Sequence, residues 1–202
     1  MAMISILLAA SPTPPCTPSS NHPVSLHWDD RAQIFSPDCR TTLNVQPSGD
    51  EGAQVSLEVR GHTSLLFRVD RDAILHWGPD NQSLLVEDAQ YSNHYRLLLF
   101  DPLSPLISPT TSLRLDMLLR NKVHTALTKD DNIAYYFPRF VAWPNPADLI
   151  VYVGLSTTRG ANGPFTEHCF GYQVDPETLR VVNTLTADEL KKRYSASCQT
   201  AP

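Results

Sequence analysis

The chain has 202 residues, of which 42% are hydrophobic and 18% are charged, and its formal net charge is −5 at pH 7. This length fits one domain that can bury a core of its own. The densest basic run is Lys191–Arg193, which falls short of the basic stripe that nucleic acid requires, so we predict no nucleic-acid partner.

The first 23 residues differ in composition from the rest of the chain. Ile4–Ala10 is an apolar run like the core of a secretory signal and ends in small residues, although no basic segment precedes it. The alternative is a hydrophobic chain start without a targeting role. The run is too short to cross a bilayer, so no transmembrane segment is predicted. Ser11–Pro23 is rich in Pro, Ser and Thr, which is typical of a linker.

We therefore divide the chain into a possible signal remnant with a linker, residues 1–23, and a single β-rich domain, residues 24–202. Export would place the protein in the periplasm or the cell envelope.

Four cysteines give an even count, which in an exported chain permits two disulfides with three possible pairings. No two of them form a Cys-x-x-Cys motif. The local pairing, Cys16 with Cys39 and Cys169 with Cys198, would pin both tails to the body of the domain. Four buried free thiols are the alternative.

Two segments of the domain repeat one pattern. Ile34–Val45 and His76–Val86 each contain an aromatic residue, a spacer, Pro-Asp, a polar pair and then a strand. The aromatic residues, Phe35 and Trp77, are 42 positions apart, which is the usual period of a propeller blade. Ala142–Val153 is a looser third copy. Pro-Asp favours a tight turn, because Pro fixes φ and Asp bonds the backbone ahead of it.

Each of the last two copies continues into further strands. After Trp77 we predict a short strand, a polar loop over Glu87–His94 and a partner strand at Tyr95–Asp101. After Trp143 we predict strands at Leu149–Leu155 and Phe165–Val174, with the loop Ser156–Pro164 between them.

Two helices are predicted between and after these units. In residues 112–127 apolar side chains recur at helical spacing. A short C-terminal helix covers Asp188–Tyr194, opened by a capping box in which Thr186 precedes Glu189 by three positions. The expected fold class is therefore mainly β with two helices.

The His76–Asp101 stretch resembles a blade of the TolB and WD40-like propeller repeat, in which Trp-Ser-Pro-Asp-Gly-Lys precedes a strand. The order of units over residues 60–182 also resembles a group of small uncharacterised bacterial exported proteins. The resemblance implies antiparallel, propeller-like blades and export, and it implies no reaction. Three units are fewer than a closed propeller needs, so we expect an incomplete propeller, a sandwich of similar hairpins, or part of an assembly.

The two loops that join these pairs of strands, Glu87–His94 and Ser156–Pro164, are the candidate binding surface, because recognition residues concentrate on loops held by a rigid scaffold. We expect them to share one face; the alternative is that both are ordinary hairpin connections. The candidate binding residues are Asp88, Tyr91, Ser92, Asn93, His94, Thr157, Arg159 and Asn162.

No nucleophile elbow, phosphate-binding loop, dinucleotide fingerprint or zinc-protease motif occurs in the chain. We therefore predict no catalytic residues, no metal and no cofactor. Three functions remain open. The first is an exported module that binds another protein, such as an envelope accessory or immunity-type protein. The second is a hydrolase using Asp88 with His94, or Glu167 with His168. The third is one subunit of a propeller-like oligomer.

Overall fold

A computed structural model describes residues 16, 22–59, 62–91, 94–101, 112–159 and 163–199. Most of the predicted signal remnant and linker lies outside the described residues. The same is true of three candidate binding residues, Ser92, Asn93 and Asn162.

The described chain forms twelve strands and two α-helices, so the mainly-β fold class is confirmed. The strands are β1 (Val24–His27), β2 (Ala32–Phe35), β3 (Thr42–Pro47), β4 (Ala53–Val59), β5 (His62–Val69), β6 (Asp72–Trp77), β7 (Leu84–Tyr91), β8 (His94–Phe100), β9 (Asp131–Asn145), β10 (Asp148–Arg159), β11 (Phe165–Asp175) and β12 (Arg180–Leu185).

Both predicted helices are present. Helix α1 covers Arg114–Ala126 and buries Leu115, Leu119 and Val123 along one face. Helix α2 covers Ala187–Tyr194, and the predicted capping box between Thr186 and Glu189 is formed in both directions.

The strands make two sheets. One has four strands in the order β2-β3-β4-β5, and the other has eight in the order β1-β6-β7-β8-β9-β10-β11-β12. Neighbours are antiparallel except β8 and β9, which run parallel and meet at a single bridge, His94 with Tyr136. The larger sheet therefore consists of two four-stranded halves joined at one point, and the described strands show no closure into a propeller ring.

Beyond that bridge, β9 crosses the face of the first half-sheet. Phe137 contacts Tyr95 of β8, with 5.4 Å between ring centroids. Two and three residues later, Arg139 reaches Glu87 of β7 and Phe140 stacks on His76 of β6. Three successive strands are thus contacted in turn, so the two halves pack against one another as well as sharing a bridge.

The central strands are buried on both faces, because alternate side chains of a strand point to opposite sides. Leu84 and Val86 of β7 belong to a core shared with the four-stranded sheet. Leu85 lies between them in sequence and belongs to a second core with α1, β9, β10 and β11. The hydrophobic run of β7 therefore serves two layers at once.

The two Pro-Asp turns are built alike, as the repeated pattern predicts. Ser36 N–H donates to the Thr41 carbonyl at 2.9 Å, and Gly78 N–H donates to the Ser83 carbonyl at 2.7 Å. Cys39 and Asn81, the residues after Asp, take left-handed φ values of 59° and 58°. The two repeated segments therefore form the same kind of turn, although the strands that follow the two turns belong to different sheets.

Both predicted loops are wrong in part. Ser156–Arg159 belong to β10, and Glu87–His94 is not a polar connection, because β7 continues to Tyr91 and β8 begins at His94. Glu87 and Asp88 read as loop residues because they are charged. Both are buried inside the strand and paired with arginine, which is how buried charge is tolerated.

Both disulfides are present, in the local pairing, which is one of the three that the sequence left open. Cys16 bonds Cys39 in the β2–β3 turn, and Cys169 of β11 bonds Cys198 beyond α2. Disulfides persist in oxidising environments, so the pairing favours a compartment outside the cytoplasm. No helix in the described ranges is both long and apolar enough to cross a membrane.

Candidate functional site

The eight-stranded sheet has two ends that differ in their chemistry. We call the end where β6 begins the Asp72 end; His27, Tyr91, His94, Arg159 and Phe165 all lie there by strand register. We call the opposite end, where the turn after Trp77 lies, the Asp80 end. The β7–β8 and β10–β11 connections therefore both lie at the Asp72 end, together with the described candidates Tyr91, His94 and Arg159.

Asp88 lies inside the core rather than on a loop. Its side chain is fully buried and its Oδ2 accepts a hydrogen bond from Arg96 Nε at 2.5 Å. Burial raises the pKa of Asp88, and the Arg96 guanidinium opposes that rise. Its second oxygen, Oδ1, has no hydrogen-bond partner within the described chain. Asp88 is thus a structural carboxylate at the base of the Asp72 end.

The other described candidates occupy strand ends. Tyr91 closes β7, and half-buried His94 opens β8. Thr157 is buried, and its Oγ1 lies 2.9 Å from His168 Nε2. Arg159 ends β10 with an exposed side chain, 3.6 Å from an Asp131 carboxylate oxygen.

Neither carboxylate–histidine pair expected for a hydrolase is formed. The partner of Asp88 is Arg96, and the partner of His168 is Thr157. Glu167 precedes His168 on a strand, where neighbouring side chains point to opposite faces.

Two carboxylate–histidine pairs that the sequence did not reveal are formed instead. His76 Nε2 lies 2.7 Å from Glu87 Oε1, with both side chains buried. The pair lies where β9 crosses the sheet, beneath Arg139, whose Nε is 3.3 Å from the second oxygen of Glu87. Because it ties the two half-sheets together, we regard this cluster as structural.

The second pair lies in an open cavity at the Asp72 end. His27 Nδ1 and Asp72 Oδ1 are 2.6 Å apart, and both side chains are mainly exposed. The hydrogen bond that His27 makes to Asp72, together with the negative charge of Asp72, raises the pKa of His27. The cavity has a volume of about 620 Å³ and is lined by His27, Trp28, Asp29, Gly52, Asp70, Arg71 and Asp72.

Most side chains around this cavity make no hydrogen bond or ion pair within the described chain. The Trp28 side chain is 50% exposed. Among the described residues, Asp29, Asp70 and Arg71 have neither a hydrogen-bond partner for their side chains nor an ion-pair partner. Asp70 also adds to the negative field on Asp88, whose pKa it helps to raise.

A second cavity, of about 450 Å³, lies at the Asp80 end between the turns and the start of α1. Its carboxylate Asp80 accepts hydrogen bonds from the backbone of Gln82 and Ser83 and from the Ser83 hydroxyl. The Asp80 carboxylate is therefore engaged in hydrogen bonds within its own turn.

No group of three or more His, Cys, Asp or Glu side chains arranged to hold a metal ion occurs in the part of the chain that the structure describes. Comparisons with protein-family models, with the curated proteins and with the solved structures found no match to this chain. Its function can therefore be inferred only from its own residues.

Proposed function

We propose that this protein is an exported interaction module that binds another protein through the Asp72 end of its larger sheet. The observation that carries the proposal is an exposed aromatic side chain, Phe165, held at that end by a row of rings. The two disulfides support the exported setting, in the periplasm or cell envelope.

The aromatic row runs from the core to the surface. Tyr95 contacts Phe137 at 5.4 Å, Phe137 stacks with Tyr135 at 6.2 Å, and Tyr135 contacts Phe165 at 5.6 Å between centroids. Phe137 is buried, whereas Phe165 is 60% exposed. A ring supported in this way loses little conformational entropy on binding, so Phe165 is suited to be an interface anchor.

Charge supports a basic partner. The chain carries a net charge of −5, and exposed carboxylates collect at the Asp72 end in Asp29, Asp70 and Asp72. A complementary basic surface would be steered toward this end before docking. This is how an immunity-type protein would cover a basic cleft of its partner.

Strand-to-strand assembly into a larger propeller is less well supported. The outer strands β1 and β2 have four residues each. The outer strands β5 and β12 contain register shifts at Leu66 and Val182, and bulges of this kind disfavour pairing with another chain. Our proposal therefore includes an incomplete propeller of three four-stranded units, which the two matching Pro-Asp turns support. In this proposal the units act without pairing their outer strands with those of another chain.

A hydrolase is the second candidate, favoured by the His27–Asp72 pair in the cavity. Asp72 contacts Nδ1, which would leave Nε2 of His27 to act as a base. No Ser, Thr or Cys is among the cavity-lining residues described, so water would have to be the nucleophile. Hydrolysis of a panel of chromogenic esters and glycosides that is lost in His27→Ala would support this candidate.

The proposed function can be tested by capture from the extracytoplasmic fraction of the source cells. Immobilised wild type is compared with Phe165→Ala and with Met117→Ala, a control whose side chain is 59% exposed on α1. We expect one partner to be retained by wild type and the control and lost with Phe165→Ala. The purified partner should then bind Phe165→Ala at least about tenfold more weakly. Identical capture by all three proteins would overturn the proposal.

A further inference from the structure

We propose that the cavity at the Asp72 end binds a neutral sugar residue, with the ring of the sugar stacked on the indole of Trp28. This goes beyond the protein partner proposed above, because it assigns the β1–β6 side of the same end a small hydroxyl-rich ligand. It rests on the cavity, the exposed indole and the unpaired polar groups of both signs.

The backbone beside Trp28 is held in place, while its indole stays half exposed. Asp30 N–H donates to the His27 carbonyl at 3.2 Å, and His27 N–H donates to the Asp30 carboxylate at 2.7 Å. These bonds close the turn after β1 and fix the backbone beside Trp28. Half of the Trp28 surface still faces the solvent. A flat apolar ring with a polar edge matches a sugar, which has C–H groups on one face and hydroxyls around its rim.

The polar groups of the cavity divide into donors and acceptors. Asp72 is already engaged by His27. That leaves the carboxylates of Asp29 and Asp70 as acceptors and the guanidinium of Arg71 as a donor. Each sugar hydroxyl can donate to a carboxylate and accept from a guanidinium, so one ring can satisfy all three groups.

Charged ligands fit this set less well. A cation would be attracted by the indole and the three carboxylates, but Arg71 and the protonated form of His27 lie in the same cavity and oppose that attraction. An anion would suit Arg71 and be repelled by three carboxylates. A neutral polyhydroxyl ligand meets no repulsion from either set. The volume of about 620 Å³ lies within the range of small-ligand sites, about 300–1,000 Å³.

Gly52 lines the cavity at a position that does not tolerate a side chain. Its φ of 87° lies in the left-handed region, and a Cβ there would overlap the Val69 carbonyl oxygen. A side chain at this position would be strained and would also enter the space next to Asp70.

Calorimetric titration of the full 202-residue chain tests the proposal. The probes are chitotetraose, cellotetraose, maltotetraose and mannotetraose, with arginine amide and inorganic phosphate as cationic and anionic probes. We expect saturable binding of at least one oligosaccharide, weakened at least about tenfold in Trp28→Ala and less in Trp28→Phe, which keeps a flat ring. Asp70→Asn should also weaken binding, whereas Phe165→Ala should bind as wild type does.

Three results would overturn the proposal: no oligosaccharide of the panel binds, Trp28→Ala binds as tightly as wild type, or arginine amide binds while every sugar fails. The last result would assign the cavity to a cationic side chain. Because Phe165 carries the protein-partner proposal, failure at Trp28 leaves that proposal standing, and unchanged capture by Phe165→Ala leaves the sugar site standing.

Discussion

The two ends of the eight-stranded sheet use the same residue type for different purposes. At the Asp80 end, two carboxylates bond their own turns: Asp80 accepts from Ser83 and Gln82, and Asp175 accepts from Glu177 and Thr178. Burial would raise the pKa of Asp80, but these hydrogen bonds lower it overall. Hydrogen bonds from Thr178 likewise hold the pKa of Asp175 below its usual value.

At the Asp72 end, Asp30 accepts from His27 N–H and Asp131 accepts from Thr128, so these two carboxylates also bond their own turns. Asp29 and Asp70 differ, because within the described residues neither side chain has a hydrogen-bond or ion-pair partner, and Asp70 opposes ionisation of buried Asp88. Grouping unpaired charges costs stability, and proteins keep such arrangements mainly at functional sites. The contrast teaches that Asp80 and Asp175 stabilise the fold, whereas Asp29 and Asp70 are available for binding.

The largest effect is expected beneath the Asp72 end, in Arg96→Ala. Removing Arg96 leaves the fully buried Asp88 without its cation, which should lower the free energy of unfolding by about 3–5 kcal/mol at neutral pH. The measurement is denaturant unfolding. The control is Arg68→Ala, whose ion pair with Glu51 is exposed and should contribute little.

The stability of Arg96→Ala relative to wild type should depend on pH in one direction. The pKa of Asp88 is already raised by burial, and loss of Arg96 would raise it further. An acid with a raised pKa in the folded state favours folding in its protonated form, so stability falls as pH rises through that pKa. The deficit of Arg96→Ala should therefore shrink toward acid pH. A deficit that does not change with pH would contradict the assignment of a buried, uncompensated charge.

The disulfides should rank next. Replacing Cys169 and Cys198 by serine removes a link between positions 29 residues apart, and we expect a loss of about 3–4 kcal/mol in the free energy of unfolding. The Cys16–Cys39 link spans 23 residues and should contribute slightly less. Unfolding of each double variant without reductant measures both. An unchanged midpoint would show that the bond does not constrain the unfolded chain.

The smallest effect on stability is expected from His27, since both members of its pair are mainly exposed. Its hydrogen bond to Asp72 raises its pKa above the ordinary 6.5. The stabilisation is therefore present below pH 6.5 and lost as pH rises through the folded-state pKa. In an NMR titration, Asp72→Asn should lower the midpoint of His27, and Asp148→Asn, at the Asp80 end, should not. Equal midpoints in all three proteins would contradict the hydrogen bond between His27 and Asp72.

Local features of the fold could be predicted from the sequence. The Pro-Asp turns and the Thr186 capping box follow from neighbours in the chain, whereas the sequence left three disulfide pairings open. The strand order could not be predicted, because β1 leaves its sequence neighbour β2 to pair with β6.

The candidate site was only partly predictable for the same reason. Glu87 and Asp88 are strand residues because of Arg139 and Arg96, and the first of these lies far along the chain. Trp28 and Asp72 meet only because β1 pairs with β6. From the sequence we expected the two loops to share one face, and the β7–β8 and β10–β11 connections both lie at the Asp72 end.

The most direct test of the account compares one carboxylate from each end. Asp80→Asn should lower the free energy of unfolding by about 1–2 kcal/mol, because the amide weakens or loses hydrogen bonds to Gln82 and Ser83. Asp70→Asn should leave stability unchanged or raise it, because a repulsion with Asp88 is relieved. Equal losses in the two variants would contradict the claim that Asp80 is committed to the fold and Asp70 is not.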